Sequence, residues 1–163
     1  MAHAEGKLTH AEGSYSHTEG FSTNAKYVGH AEGAYTQARG DYSHTEGAYT
    51  VAEGKYSHAE GHNTIAKGAQ QHVHGVANIK DEHNKYLTIV GNGEVADDGY
   101  TVISRSNAHT LDRDGNAWFA GDISSGVDEN KSYLLKENIF LNKNNLFKNA
   151  TFNSLEYWTI NDE

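Results

Sequence analysis

The chain has 163 residues, a net charge of −9 with histidine neutral, no cysteine and no proline. An acidic chain with no basic stripe argues against nucleic-acid binding, and the lack of cysteine excludes disulfides and thiolate metal sites while leaving the compartment open. Leu, Ile, Val and Phe form about a sixth of the residues, below the level at which a chain usually builds its own core.

That shortage is concentrated at the front, where residues 1–70 hold only Leu8, Phe21, Val28, Val51 and Ile65 of that set. Composition alone predicts disorder there. A strict repeat argues otherwise. His58-Ala59-Glu60-Gly61 recurs at His3–Gly6, His10–Gly13 and His30–Gly33, with His17–Gly20 and His44–Gly47 as one-residue variants. Glycines fall every seven residues from Gly33 to Gly75, and the same beat runs through Gly6, Gly13 and Gly20 before one residue is lost near Asn24–Gly29. A periodic chain too apolar-poor to fold alone is best explained by stacking on itself and on partner chains. Met1 is followed at once by the middle of a repeat, which suggests a piece of a longer polypeptide. Neither a signal peptide nor a membrane-length apolar run is present, so no membrane insertion is expected.

Over residues 1–75 a coiled coil fails, because glycine costs about 1 kcal/mol per helix position and no apolar a/d seam exists. The pattern instead predicts strands of four or five residues separated by turns, two units per coil of fourteen residues. Without proline, Gly, Asn and Asp are expected to make the turns. Strand alternation puts His and Glu on one face, and the intervening Ala or Thr with the terminal Gly on the other. The pairs concerned are His3/Glu5, His10/Glu12, His17/Glu19, His30/Glu32, His44/Glu46 and His58/Glu60. They read as a structural hydrogen-bonded ladder, since catalysis would need a third oriented group and a pocket. Tyr15, Tyr35, Tyr42, Tyr49 and Tyr56 recur near multiples of seven and should stack along the roll.

Tandem units such as Tyr56-Ser57-His58-Ala59-Glu60-Gly61 followed by Asn63-Thr64-Ile65-Ala66-Lys67-Gly68 resemble the head repeats of trimeric autotransporter adhesins. They look still more like related repeats in tail fibres of phages and prophages of Gram-positive bacteria. The resemblance covers residues 1–75 and implies an all-β, left-handed parallel β-roll in a homotrimer. Adhesin heads carry aliphatic residues where this chain has His and Glu. The sequence therefore leaves open whether that face lines the trimer interior or the outer wall.

His72-Val73-His74-Gly75 closes the run. In a strand both imidazoles point the same way, and three chains would offer six nitrogens. That octahedral set suits a divalent iron or nickel ion, and zinc less well. The step is similar to metal-binding steps in some trimeric phage fibre tips; a plain continuation of the histidine ladder is the alternative.

Residues 76–124 shift to strand-rich composition and are expected to form a compact β module closing the roll. Tyr86–Val90 and Tyr100–Ser104 read as strands, with turns at Gly91-Asn92-Gly93 and Asp97-Asp98-Gly99. Ala108–Leu111 and Asn116–Ala120 flank Asp112-Arg113-Asp114-Gly115, a hairpin signal. The run from Arg105 to Asp112, continuing Gly115–Ile123, resembles a module that follows such repeats in prophage tail proteins. A related region of some phage appendages belongs to a self-cleaving intramolecular chaperone, which makes Ser106, Asn107, His109 and Asp112 candidates for that chemistry.

Residues 125–163 read as a linker followed by a truncated module. Val127, Leu134 and Leu141 fall seven apart, Asp128 could cap a helix, and the pattern from Asn145 to Trp158 resembles the opening strand of a carbohydrate-binding jelly roll. The resemblances together imply a structural, adhesive segment of a tail fibre, located in the virion tail and extracellular. Its partners would be two further chain copies, other tail or baseplate proteins, and a host-surface glycan or protein met by a downstream tip. The alternatives are a head fragment of a bacterial surface adhesin and a self-cleaving chaperone module. A small-molecule enzyme lacks a convergent polar pocket.

Overall fold

Alternate glycine-terminated units return to the same sheet. The computed structural model describes residues 1–121, so the expectations for residues 125–163 lie outside the described residues. Among the described residues all regular structure is β, and no helix is long and apolar enough to cross a membrane. In chain order the strands are β1 (His3–Lys7), β2 (His10–Ala11), β3 (His17–Phe21), β4 (Asn24–Ala25), β5 (His30–Ala31), β6 (Gln37–Ala38), β7 (His44–Thr45) and β8 (Val51–Ala52). Then come β9 (His58–Ala59), β10 (Ile65–Ala66), β11 (His72–Val76), β12 (Tyr86–Asn92), β13 (Glu94–Val95), β14 (Val102–Ser104), β15 (Asn107–Asp112) and β16 (Ala117–Phe119).

Odd-numbered strands from β1 to β11 stack in parallel in one sheet, and even-numbered strands from β2 to β10 stack in a second. Each coil gives one strand to each sheet, and about six coils build a β-solenoid. His3 pairs with His17, His30 with His44, His44 with His58 and His58 with His72, a register of fourteen residues. The slip near Asn24–Gly29 is a single coil of thirteen, His17 on His30, in which Tyr27 lies over Gly13. Most repeat strands are two residues long, shorter than expected, because the turns begin directly after Glu.

The interior is made of small side chains. Ala25, Ala31, Ala38, Ala52, Ala59 and Ala66 are fully buried, as are Thr18, Thr23, Thr36, Thr45, Thr50 and Thr64. With so little volume per rung, the two sheets lie close and the glycines touch the next coil. A Cβ on Gly47 would overlap the carbonyl oxygen of Gly61, and φ there is +93°, a region that disfavours any side chain. The backbone that the small residues admit is thus that of the same chain one coil on.

Turn chemistry differs from the expectation. Half of the twelve non-glycine left-handed positions among the described residues belong to tyrosine: Tyr15, Tyr27, Tyr35, Tyr42, Tyr49 and Tyr56 have φ between 51° and 63°. That conformation costs about 1–2 kcal/mol per residue. Two features offset it in the central coils: the N–H of Tyr35, Tyr49 and Tyr56 bonds to the preceding coil, as Tyr49 N to Ala34 O at 2.9 Å, and the rings of Tyr35, Tyr42, Tyr49 and Tyr56 stack in pairs. Each coil has two turns, so the tyrosines form two ladders. Tyr35 stacks on Tyr49 at 4.8 Å, and Tyr42 on Tyr56 at 5.1 Å.

The repeats do not end in a bare edge. β12 continues the first sheet in parallel on β11, with Val73 opposite Ile89, and both of these larger side chains are fully buried. β15 then pairs antiparallel with β12, and β16 with β15, which is the predicted hairpin around Asp112–Gly115. A second hairpin, β13–β14, turns at Asp97–Gly99. Gly91 and Asn92 belong to β12 instead of a turn. Gly91 is required because a Cβ would sit 2.5 Å from Val76 O.

The second sheet ends differently. Asn78, fully buried, receives Ile65 N on Oδ1 at 2.8 Å and donates from Nδ2 to Ile65 O at 3.1 Å. Its amide thus stands in for the strand that β10 lacks, one way of closing a sheet edge. Gln71, in the place held by Ser43 and Ser57 in earlier coils, accepts from Lys67 N and Gly68 N and donates to Asp81.

Candidate functional site

Alternation in the first sheet turns Thr or Ala inward and leaves His and Glu half-exposed outside. The result is two parallel columns. His3, His17, His30, His44, His58 and His72 stack ring on ring, with centroids 4.6–5.0 Å apart. Beside them run Glu5, Glu19, Glu32, Glu46 and Glu60, and His74 takes the next place. Glu19, Glu32, Glu46, Glu60 and His74 line an open cleft of about 460 Å³ floored by Gly33, Gly47, Gly61 and Gly75.

The columns interact through neighbouring rungs. His44 Nε2 lies 3.9 Å from Glu32, His58 Nε2 3.8 Å from Glu46, and His72 Nε2 3.4 Å from Glu60. The first two distances are too long for hydrogen bonds. The expected hydrogen-bonded ladder is therefore a stacked one, in which Nε2 of His17, His30, His44 and His58 is buried without a hydrogen-bond partner. Burial first, and neighbouring imidazoles second, lower the pKa of His30 and His58; His44 shifts the same way for the same reasons. In the carboxylate column a hydrogen bond to Glu46 pushes Glu32 up to about 7, while hydrogen bonds with Glu60 and Glu32 hold Glu46 below the usual range. Two like charges one rung apart share a proton more easily than they both ionise.

His10 and Glu12 are not in these columns. They lie on β2 and the turn after it, in the second sheet, where His10 pairs with Asn24 and Glu12 contacts Asn24 Nδ2 at 2.5 Å and Lys26 at 3.9 Å. That face carries further opposite-charge pairs: Arg39 bridges to Glu53 at 2.9 Å, and Lys67 pairs with Glu82. A seven-residue repeat cannot distinguish the two sheets, so the sequence groups His10/Glu12 with the rest.

His72 and His74 do share the outer face, with ring centroids 5.4 Å apart and Val73 turned inward. Two His/Glu groups could hold a metal ion, His30/Glu32/His44 and His58/Glu60/His72, each with one donor atom per residue within 4.8 Å of the others. The self-cleavage candidates are occupied structurally. Asn107 Oδ1 accepts from Ile79 N at 2.8 Å, and Asp112 Oδ1 accepts from Asp114 N and Asn116 N within the hairpin turn. His109 packs against Phe119 at 4.5 Å, and Ser106 bonds through its backbone to Ala77 O. Sequence reasoning missed His62, whose Nε2 meets Gly99 O at 2.7 Å and ties the β13–β14 hairpin to the coils. It also missed Arg105, which donates to Asn63 O and Asn78 O.

Compared with family models, curated proteins and solved structures, the chain matches none.

Proposed function

We propose that the chain is a structural and adhesive segment of a phage or prophage tail fibre, a homotrimer that presents a host-surface-binding tip. The observation that supports this reading is the uniform small-residue solenoid, which stacks rung on rung with both outer faces carrying ladders along its length. A rod of this kind gives rigidity without a large apolar core. Three parallel rods would hold three tips in fixed geometry, so that weak contacts with a surface glycan or protein add as avidity. In that arrangement His72 and His74 of three chains could surround an axial iron or nickel ion. Tail or baseplate proteins would be the other partners, and the virion tail the location.

Native mass spectrometry of the purified chain, before and after chelator, tests it. A threefold mass is expected; a monomer at micromolar concentration overturns the trimeric fibre.

A further inference from the structure

One step of the outer columns differs from every other. β11 lies on β9 with His72 opposite His58. That register carries His74 to the rung position next to Glu60, and both line the open cleft. Elsewhere on this face glutamate follows glutamate. Here the two rungs bring together three imidazoles and one carboxylate from a single chain.

The local geometry favours capture of a cation. Donor atoms of His58, Glu60 and His72 already lie within 4.8 Å of one another, and His72 Nε2 is 3.4 Å from Glu60 Oε1. His58 Nε2 is buried and has no hydrogen-bond partner. The absent side chains of Gly61 and Gly75 leave the cleft floor open. We propose that His58, Glu60, His72 and His74 form a four-donor site, complete within one chain, for a divalent transition metal of the zinc class. Three neutral nitrogens and one anionic oxygen are a typical tetrahedral donor set for zinc, whereas the His30/Glu32/His44 group can add only a further glutamate and is harder. The rings of His58 and His72 stack in parallel at 4.8 Å. Binding would rotate them so that their nitrogens converge to about 3.4 Å, as metal–nitrogen bonds of about 2.1 Å require.

The site does not rest on the trimer, and its stoichiometry separates it from an axial ion. Tag-free chain of residues 1–163, stripped with chelator, is titrated with zinc chloride by calorimetry, alongside His74→Gln, Glu60→Gln and the second-sheet control His10→Ala. The expected result is one zinc per chain, weakened about tenfold or more by either site variant and unchanged by His10→Ala. Far-UV circular dichroism of the metal-free variants should match the parent. His74→Gln puts a side chain of glutamate's shape where the other rungs carry glutamate, so it retains a geometry the solenoid already tolerates. One ion per three chains, unaltered affinity in both site variants, an equal loss in His10→Ala, or no binding at micromolar zinc would each overturn the site.

Discussion

The two outer faces of the solenoid are built from the same repeat yet solve the charge problem in opposite ways. On the second sheet, opposite charges pair between rungs, with Lys26 near Glu12, Arg39 on Glu53 and Lys67 on Glu82. On the first, identical residues stack: histidine on histidine and glutamate beside glutamate. Like charges placed directly opposite each other in a sheet are destabilising. The first face eases that penalty by lowering the pKa of His30, His44 and His58 and letting Glu32 and Glu46 share a proton. One face is therefore fixed in charge and the other depends on protonation.

The largest test of this contrast is in the turns that follow each face. Gly47→Ala adds a side chain both at φ +93° and onto the Gly61 carbonyl, while Gly54→Ala meets the Gly68 carbonyl without the positive φ. Both should unfold the stack locally, Gly47→Ala by about 3 kcal/mol or more and Gly54→Ala by less. Urea unfolding monitored by circular dichroism measures both; equal losses would mean that backbone conformation adds nothing to the overlap.

Acid is the next probe. His30, His44 and His58 have folded pKa values below 6.5, so between those values and 6.5 the unfolded chain binds more protons. Stability from these groups is therefore lost as pH falls below 6.5. Glu32, raised from 4.5 to about 7, works the other way: the folded state binds the extra proton, so stability is gained as pH falls from 7 to 4.5. The histidine and glutamate contributions oppose each other over this range; with the glutamate's removed, the melting temperature should fall between pH 7.5 and 5. Glu32→Gln removes the opposing contribution and should show that fall; a flat profile in the variant would refute the assignment.

A smaller effect distinguishes the faces by sign. At pH 8, Glu32→Gln relieves repulsion and should stabilise, whereas Glu53→Gln breaks the Arg39 pair and should destabilise, each by about 0.5 kcal/mol. Thermal melts in low salt resolve the pair, and the difference should shrink in molar salt. Smallest of all is Tyr42→Asn. Loss of the Tyr56 stack, worth about 0.5–1.5 kcal/mol, is offset by asparagine's easier left-handed backbone, so a melting temperature within a few degrees of the parent is expected.

The glycine beat made the rungs legible, and period-two alternation made the inward Ala and Thr and the outward His and Glu legible. It could not assign successive units to two sheets, because each unit ends in the same small-acid-glycine pattern until the chain is wound. That is why the sequence groups His10/Glu12 with the first-sheet pairs. Tyrosine in the left-handed turns runs against propensity and is compensated only by contacts with another coil. The Asn78 cap left no periodic trace, since a side-chain amide there takes the place of backbone. The His-x-His step was visible in the sequence, but its neighbours Glu60 and His58 became so only through the register of β11 on β9.

The thirteen-residue coil carries a further lesson. By dropping a glycine and letting Tyr27 occupy its place over Gly13, the solenoid absorbs a deletion within a single turn, and the columns resume in phase at His30. Whole coils are then interchangeable segments. Duplicating or excising one would lengthen or shorten the rod by about 4.8 Å without altering what either end presents. Reach thus becomes a property that the chain can vary by copy number, independently of the chemistry at either end of the stack.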